Sequence, residues 1–238
     1  MVETLAELPF IGDQVVCLSH DQAGPPGNDC VAIASEHGFA QWVAWGRILL
    51  GWADAQRGEA TTGIAGIRDG LAASEATSAR ANTPLHLALL AEALALTGEI
   101  EEGLAALDDA FARAAVSGAR LWDAEIHRLR GELTGRLPHP DPAKAEDSFR
   151  TALAIAGEQG TRGYELRAAT SLARLWREQG RRGEARELLA PVYGSFTEGF
   201  GTQDLKDAAR LLDELAREIG SNNKLSFRDG PQGRVRKP

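Results

Sequence analysis

The chain of 238 residues has only two cysteines, Cys17 and Cys30. A secreted scaffold stapled by disulfides is much richer in cysteine, so a reducing cytoplasm is the expected setting. Their spacing matches no redox motif, and both are expected to be packing residues. No run of 18 apolar residues occurs, which excludes a membrane-spanning helix. No basic stretch followed by an apolar core opens the chain, so no secretory signal is read. An excess of positive charge is also missing: the formal net charge is -8 and the pI is near 5.2. Nucleic acid held by bulk electrostatics needs clustered Lys and Arg, so no such partner is expected.

The sequence also lacks the short motifs of catalysis. There is no H-E-x-x-H and no C-x-x-C, and the histidines (His20, His37, His86, His127, His139) are scattered. They are read as structural or surface residues, since a metal site would need assembly from distant positions. No G-x-S-x-G elbow and no G-x-x-x-x-G-K-[ST] loop is present. The run GIAGIRDG places Gly63, Gly66 and Gly70 inside a helical pattern with no strand before it. Close helix packing explains it better than phosphate binding. A hydrolase or metalloenzyme therefore finds no nucleophile–base or ligand spacing. No catalytic residue, cofactor or metal site is assigned.

What the sequence does have is helix. It is 43% hydrophobic but only 6% aromatic, with Ala and Leu dominant. These are strong helix formers and pack closely through small side chains. From Tyr164 to Gly194 the pattern is plainest. Leu166, Ala169, Leu172, Ala173 and Trp176 recur at steps of three or four, Gly180 interrupts, and Ala185, Leu188, Leu189 and Val192 follow. This predicts a helical hairpin.

Degraded copies lie upstream. The segment 30–37 reads as the end of a helix stopping at Gly38. Helices are predicted from Phe39 to Arg57, Glu59 to Ala76, Pro84 to Thr97, Ile100 to Ser117, Trp122 to Gly135 and Ala143 to Glu158. A last one runs from Asp204 to Ile219. Thr83 before Pro84, and Asp141 before Pro142, read as cap-plus-proline starts. Small residues on the second helix of each pair, Gly63, Gly103, Ala145 and Ala185, stand 40, 42 and 40 apart. A large apolar residue follows four later: Ile67, Leu107, Phe149, Leu189. The first helices carry Gly51, Ala91, Gly131 and Ala173 in the matching place. Such a period marks a solenoid, in which each hairpin buries its apolar face against its neighbours.

Small, Gly after seven, then small, large apolar and small at steps of five, four and three is similar to the tetratricopeptide repeat, in a longer unit. The stretches EHGFAQWVAWGRILLGWADAQRG, PLHLALLAEAL, GEIEEGLAALDDA, EIHRLRGELT and ELRAATSLARLWREQGRRGEARELLAPVYG resemble the C-terminal repeat region of large bacterial signalling proteins. Those proteins join a class III adenylate/guanylate cyclase domain, or a DNA-binding activator domain, to a regulatory ATPase and then to such repeats. The resemblance covers roughly 30–215. Because the phosphate loop is missing and the chain is too short for a cyclase, neither activity is expected here. A truncated or split fragment is expected, whose upstream part is lost or encoded separately.

The resulting expectation is an all-α, right-handed α-α superhelix of about four hairpins plus a capping helix. Residues 1–29 form an irregular remnant of a preceding repeat, 30–219 the repeat domain, and 220–238 a disordered basic tail. By analogy with tetratricopeptide arrays, first helices line a concave groove. Its candidate residues are Trp45, Trp52, Glu92, Arg128, Glu132, Arg167, Arg174 and Arg177, joined by Ile48, Leu85, Ala88, Glu125 and Thr170. This gives an aromatic N-terminal end and a basic C-terminal end, suited to a peptide with an apolar anchor and an acidic end. The function expected is a non-catalytic interaction or regulatory module in signal transduction, taking a protein or peptide partner or a small effector. The alternative is a free-standing adaptor or oligomerisation scaffold.

Overall fold

The computed structural model describes residues 31–77 and 82–226. The expected N-terminal remnant, both cysteines, His20, most of the polar link after Thr77 and the end of the tail lie outside these residues. Among the described residues all regular structure is helical. After a helical stub at 31–36 come α1 (Ala40–Gln56), α2 (Ala60–Glu75), α3 (Thr83–Thr97), α4 (Ile100–Ser117), α5 (Asp123–Gly135), α6 (Pro142–Gln159), α7 (Arg162–Glu178), α8 (Arg182–Gly194) and α9 (Gln203–Ser226). A short 3₁₀ turn, Arg120–Trp122, leads into α5.

Boundaries follow local chemistry. Gly58, Gly98 and Gly180 end first helices at positive φ, a conformation that costs glycine no Cβ clash. The third hairpin has no such glycine and turns instead through Leu137–Asp141, where the Asp141 carboxylate accepts from the Lys144 amide at 3.1 Å. Thr83, read as a cap, is itself the first residue of α3, with Asn82 before it. The last helix does not stop at Ile219 but continues to Ser226. A glycine such as Gly220 lowers helix propensity by about 1 kcal/mol without breaking the helix.

The helices pair as α1/α2, α3/α4, α5/α6 and α7/α8, with α9 laid over the last pair. The small residues set how closely each pair crosses. A Cβ added at Gly63 would lie 2.3 Å from the Gly51 carbonyl oxygen and 2.7 Å from the Ala55 nitrogen. In the third pair a Cβ on Gly131 would meet the Phe149 ring at 2.6 Å. The glycine-rich run of α2 is therefore a packing seam.

The core is strung along the array. One cluster joins Ile48, Ile64 and Ile67 to Leu90 and Leu94. The next gathers Leu107, Trp122, Ile126, Leu133 and Tyr164. The last unites Phe149, Leu166, Leu172, Trp176, Leu189, Leu205, Leu211 and Leu215. Each contains side chains from adjacent hairpins, and burying each large one contributes about 1.5–3 kcal/mol. The architecture is the all-α, tetratricopeptide-like superhelix that the period implies. Had the helices closed on a single centre, residues of distant hairpins would share one cluster.

The first crossing yields a paired test. Gly63→Ala should lose on the order of 1–3 kcal/mol, because overpacking against backbone outweighs the propensity gain. Gly66→Ala, whose Cβ would stand 3.5 Å from the Gly51 Cα, meets only ordinary contact and should be neutral or gain up to about 1 kcal/mol. Urea denaturation reads both. A Gly63→Ala midpoint at or above that of the unmutated protein would contradict the close crossing.

His86 yields a second test. It is buried, its ring 5.7 Å from that of Trp45, and burial pushes its imidazole down from 6.5 to about 4. The unfolded chain takes up this proton near 6.5 and the folded chain only near 4. The contribution is thus complete above about 6.5 and is lost as pH falls towards 4, by about 3 kcal/mol in all. In His86→Leu, stability should fall less between pH 7 and pH 4. An unchanged slope in chemical denaturation across that range would remove His86 as its source.

Candidate interaction trough

First helices touch one another from hairpin to hairpin: α1 meets α3, α3 meets α5, α5 meets α7, and α7 meets α9. Second helices show no comparable pairing among the described residues. The first helices thus form the inner wall, and residues one repeat apart face each other across it.

A polar ladder runs along this wall. The Trp52 indole donates to Glu92 at 2.7 Å, 40 residues on. Arg167 reaches Glu125 at 3.0 Å, Glu92 at 3.9 Å and Asp204 at 4.0 Å. Arg128 forks onto Glu125 through Nε at 3.0 Å and a terminal nitrogen at 2.8 Å, and its other terminal nitrogen donates to Glu132 at 3.0 Å. Glu132 also accepts from the Ser171 hydroxyl at 2.7 Å. A narrow slot opens beside the ladder, with Trp52, Leu85, Leu89 and Tyr164 as apolar walls and Glu92 and Arg167 as polar ones.

The charges hold one another in place. Burial alone would push the Glu125 carboxyl up, but the Arg128 and Arg167 guanidiniums outweigh it and keep it below the usual carboxylate range. Glu132 is likewise held down against burial by Arg128 and by the Ser171 hydroxyl. Asp204 differs. Burial pushes its carboxyl up, and Arg167 stands too far away to reverse this.

Of the residues anticipated for the groove, Trp52, Glu92, Arg128, Glu132 and Arg167 come together here, with Glu125 at their centre. Trp45 does not join them. Its ring is buried edge-on to His86 and Trp42, so the aromatic end narrows to Trp52. Ile48 is fully buried, and the buried Thr170 hydroxyl donates back to the Leu166 carbonyl.

The expectation of a basic C-terminal end is also corrected. Arg177 donates to Glu214 and Glu218, both at 2.6 Å, and Arg182 donates to Glu218 at 2.6 Å. Arg174 faces Asp207 at 3.6 Å. The carboxylates come from α9, which takes the place of a fifth first helix. Sequence reasoning overlooked Asp207, Glu214 and Glu218. Their signal was the repeat step itself, since Glu218 stands 41 residues after Arg177.

Among the described residues no group of three or more His, Cys, Asp or Glu side chains is placed to hold a metal ion. No described helix is long and apolar enough to cross a membrane. What the wall offers chemically is a line of hydrogen-bonding and charged groups beside an apolar slot.

The ladder makes a prediction about its own energetics. Glu125→Ala leaves Arg128 buried with its fork empty and only Glu132 as partner, and should cost about 3–5 kcal/mol, the range for breaking a buried pair. Arg177→Gln, about one-third exposed, should cost much less. Equal losses in urea denaturation would show that the ladder is uniformly solvated.

No protein-family model matches the chain. An uncharacterised protein of Rhizobium meliloti (strain 1021) is 32% identical over 142 residues, which are 60% of this chain and 14% of that protein. The chain thus spans about one-seventh of the length of that relative. Among solved structures, BtubC (BKLC) from P. vanneervenii superposes with a TM-score of 0.60 at 13% identity, covering 96% of this chain and 97% of that one. A putative kinesin light chain from Podosopora anserina, with nearly identical TPR-like repeats, gives 0.47 at 18% identity over 76% of this chain and 92% of its own. At 13% identity the likeness to BtubC is one of fold.

Proposed function

We propose that the protein is a non-catalytic interaction module that seats a protein or peptide partner along the inner wall of its superhelix. The observation that supports this is the continuity of the polar ladder from Trp52 through Glu92, Glu125 and Arg167 to α9 beside an apolar slot. An extended or helical segment with an apolar anchor meets fixed hydrogen-bonding groups at each repeat, which favours peptide recognition over small-molecule enclosure. The slot itself has a volume of only about 40 Å³, well below the space that a typical small-molecule ligand fills.

The finer reading is a regulatory role in a longer signalling assembly with a cyclase or activator domain and an ATPase. Its support is the resemblance of the repeat stretches, and the fact that the related segment in Rhizobium meliloti occupies a small part of a much longer protein. In such an assembly, partner binding in the trough shifts a conformational equilibrium of the neighbouring domains.

Site-specific photocrosslinking tests both readings. A diazirine amino acid at Leu89, on the slot wall, should capture a discrete partner in cells of the source organism. The same group at Arg186, exposed on α8, should not. Equal capture from both positions would sink the trough reading. The captured chain decides the finer one: an ATPase or class III cyclase supports it, and any other protein removes it.

A further inference from the structure

The slot of the inner wall holds a donor and an acceptor that do not satisfy each other. Glu92 of α3 takes the Trp52 indole on Oε2 at 2.7 Å. Its other oxygen, Oε1, stands 3.9 Å from Nη2 of Arg167 on α7, too far for a hydrogen bond. That nitrogen carries two N–H groups and lies 3.0 Å from Glu125, so one N–H is left over. On the other side of the guanidinium, Nε stands 4.0 Å from Asp204. The Glu92 and Arg167 side chains are 24% and 23% exposed. Both line the slot with Trp52, Leu85, Leu89 and Tyr164. Its volume of about 40 Å³ gives room for about three water-sized groups, the size of a carboxamide head.

The charges around the gap alternate. Glu92, Glu125 and Asp204 surround Arg167, and Arg128 lies close by. Glu132 follows, with Arg128, Arg136 and Arg174 acting on it. An anion entering the slot meets Glu92 and Glu125, and a cation meets Arg167. Each sign is opposed, which favours a neutral group that donates and accepts at once. The oxygen and nitrogen of a carboxamide lie about 2.3 Å apart by their bond lengths. Hydrogen bonds of about 2.9 Å at each end let such a group bridge the 3.9 Å gap.

Building on the trough reading, we propose that the gap between Glu92 and Arg167 seats a carboxamide side chain of the partner peptide, glutamine above asparagine. The carboxamide oxygen accepts from Arg167 and its N–H donates to Glu92. The apolar stem, longer in glutamine, lies against Trp52 and Tyr164. One side chain thus serves as both anchor and hydrogen-bonding head.

Selection of a random dodecapeptide library, displayed on phage, against the whole chain tests this. Enriched peptides should share Gln or Asn at one position, at least fivefold above its frequency in the library. In fluorescence anisotropy with a selected peptide, replacing that residue by glutamate, lysine or methionine should each weaken binding at least tenfold. The first two bring a like charge, and the third leaves the buried donor and acceptor unpaired. Glu92→Gln keeps an oxygen for the Trp52 indole but removes the carboxylate. In that variant the preference for glutamine over glutamate should shrink at least fivefold. Absence of a shared carboxamide, a shared Glu or Lys in its place, or an unchanged preference in Glu92→Gln would each overturn the inference. Photocapture at Leu89 persisting in that event would leave the trough reading standing, whereas its loss as well would remove both.

Discussion

The closeness with which the two helices of a hairpin cross governs everything else in this molecule. At Gly51 and Gly63 the backbones are in contact, with no room for a Cβ on either side. Such a crossing fixes more than a distance. It sets the rotation of each helix about its axis, and hence which side chains face the partner helix, the next hairpin and the inner wall. A solenoid has no closed core to correct an error in one unit, because each hairpin packs chiefly against its neighbours. Register must be set locally, and small residues repeated about every 40 positions set it.

The inner wall inherits that register. Trp52, Glu92 and Glu132 stand 40 residues apart, and Ser171 follows 39 after Glu132. A side chain on one first helix therefore finds its counterpart on the next at hydrogen-bond distance, without long loops or adjustment. The energetic cost is concentrated at Arg128, which is buried with Glu125. Desolvating these charges costs several kcal/mol per ion, and the fork, the Arg167 guanidinium beside Glu125 and the bond from Arg128 to Glu132 offset it. Leucines in these places would pack at lower cost. The ladder is thus not the main source of stability, which comes from the clusters around Ile67, Leu107 and Leu189. It specifies the wall, holding five first helices in one alignment.

Much of this was legible in the sequence, for a physical reason. A close crossing admits only small residues, so Gly63, Gly103, Ala145 and Ala185 revealed the hairpins, and their spacing the solenoid. Turn glycines marked the helix ends because only glycine takes positive φ at no steric cost. The trough was less legible. Trp45 and Trp52 are seven residues apart and lie on nearly one face of α1, yet one is sealed by His86 and the other borders the slot. What seals them comes from different turns of α3, and helix periodicity carries no information about a neighbour's length or position. The arginines of α7 read as free charge for the same reason. Their partners lie on α9, a helix outside the hairpin pattern, so the small-residue alignment never brought Glu214 and Glu218 into view.

That last described helix also keeps the first-helix pattern, with one change. Leu205, Ala208, Leu211 and Leu215 of α9 are buried in the same cluster as Leu166, Ala169, Leu172 and Trp176 of α7, and each stands 39 residues after its counterpart. The same step carries Ala173, the small crossing residue of α7, onto Leu212. A leucine there holds any following helix away from the backbone contact that α2 makes with α1. In α7 and earlier first helices the partner-facing side is closed by a second helix. In α9 the leucine at this place lies half-buried against the cluster. The crossing position thus changes from small to large between α7 and α9, while the rest of the first-helix pattern is kept. The acidic residues of α9 answer the arginines of α7 from the place a first helix occupies one repeat on.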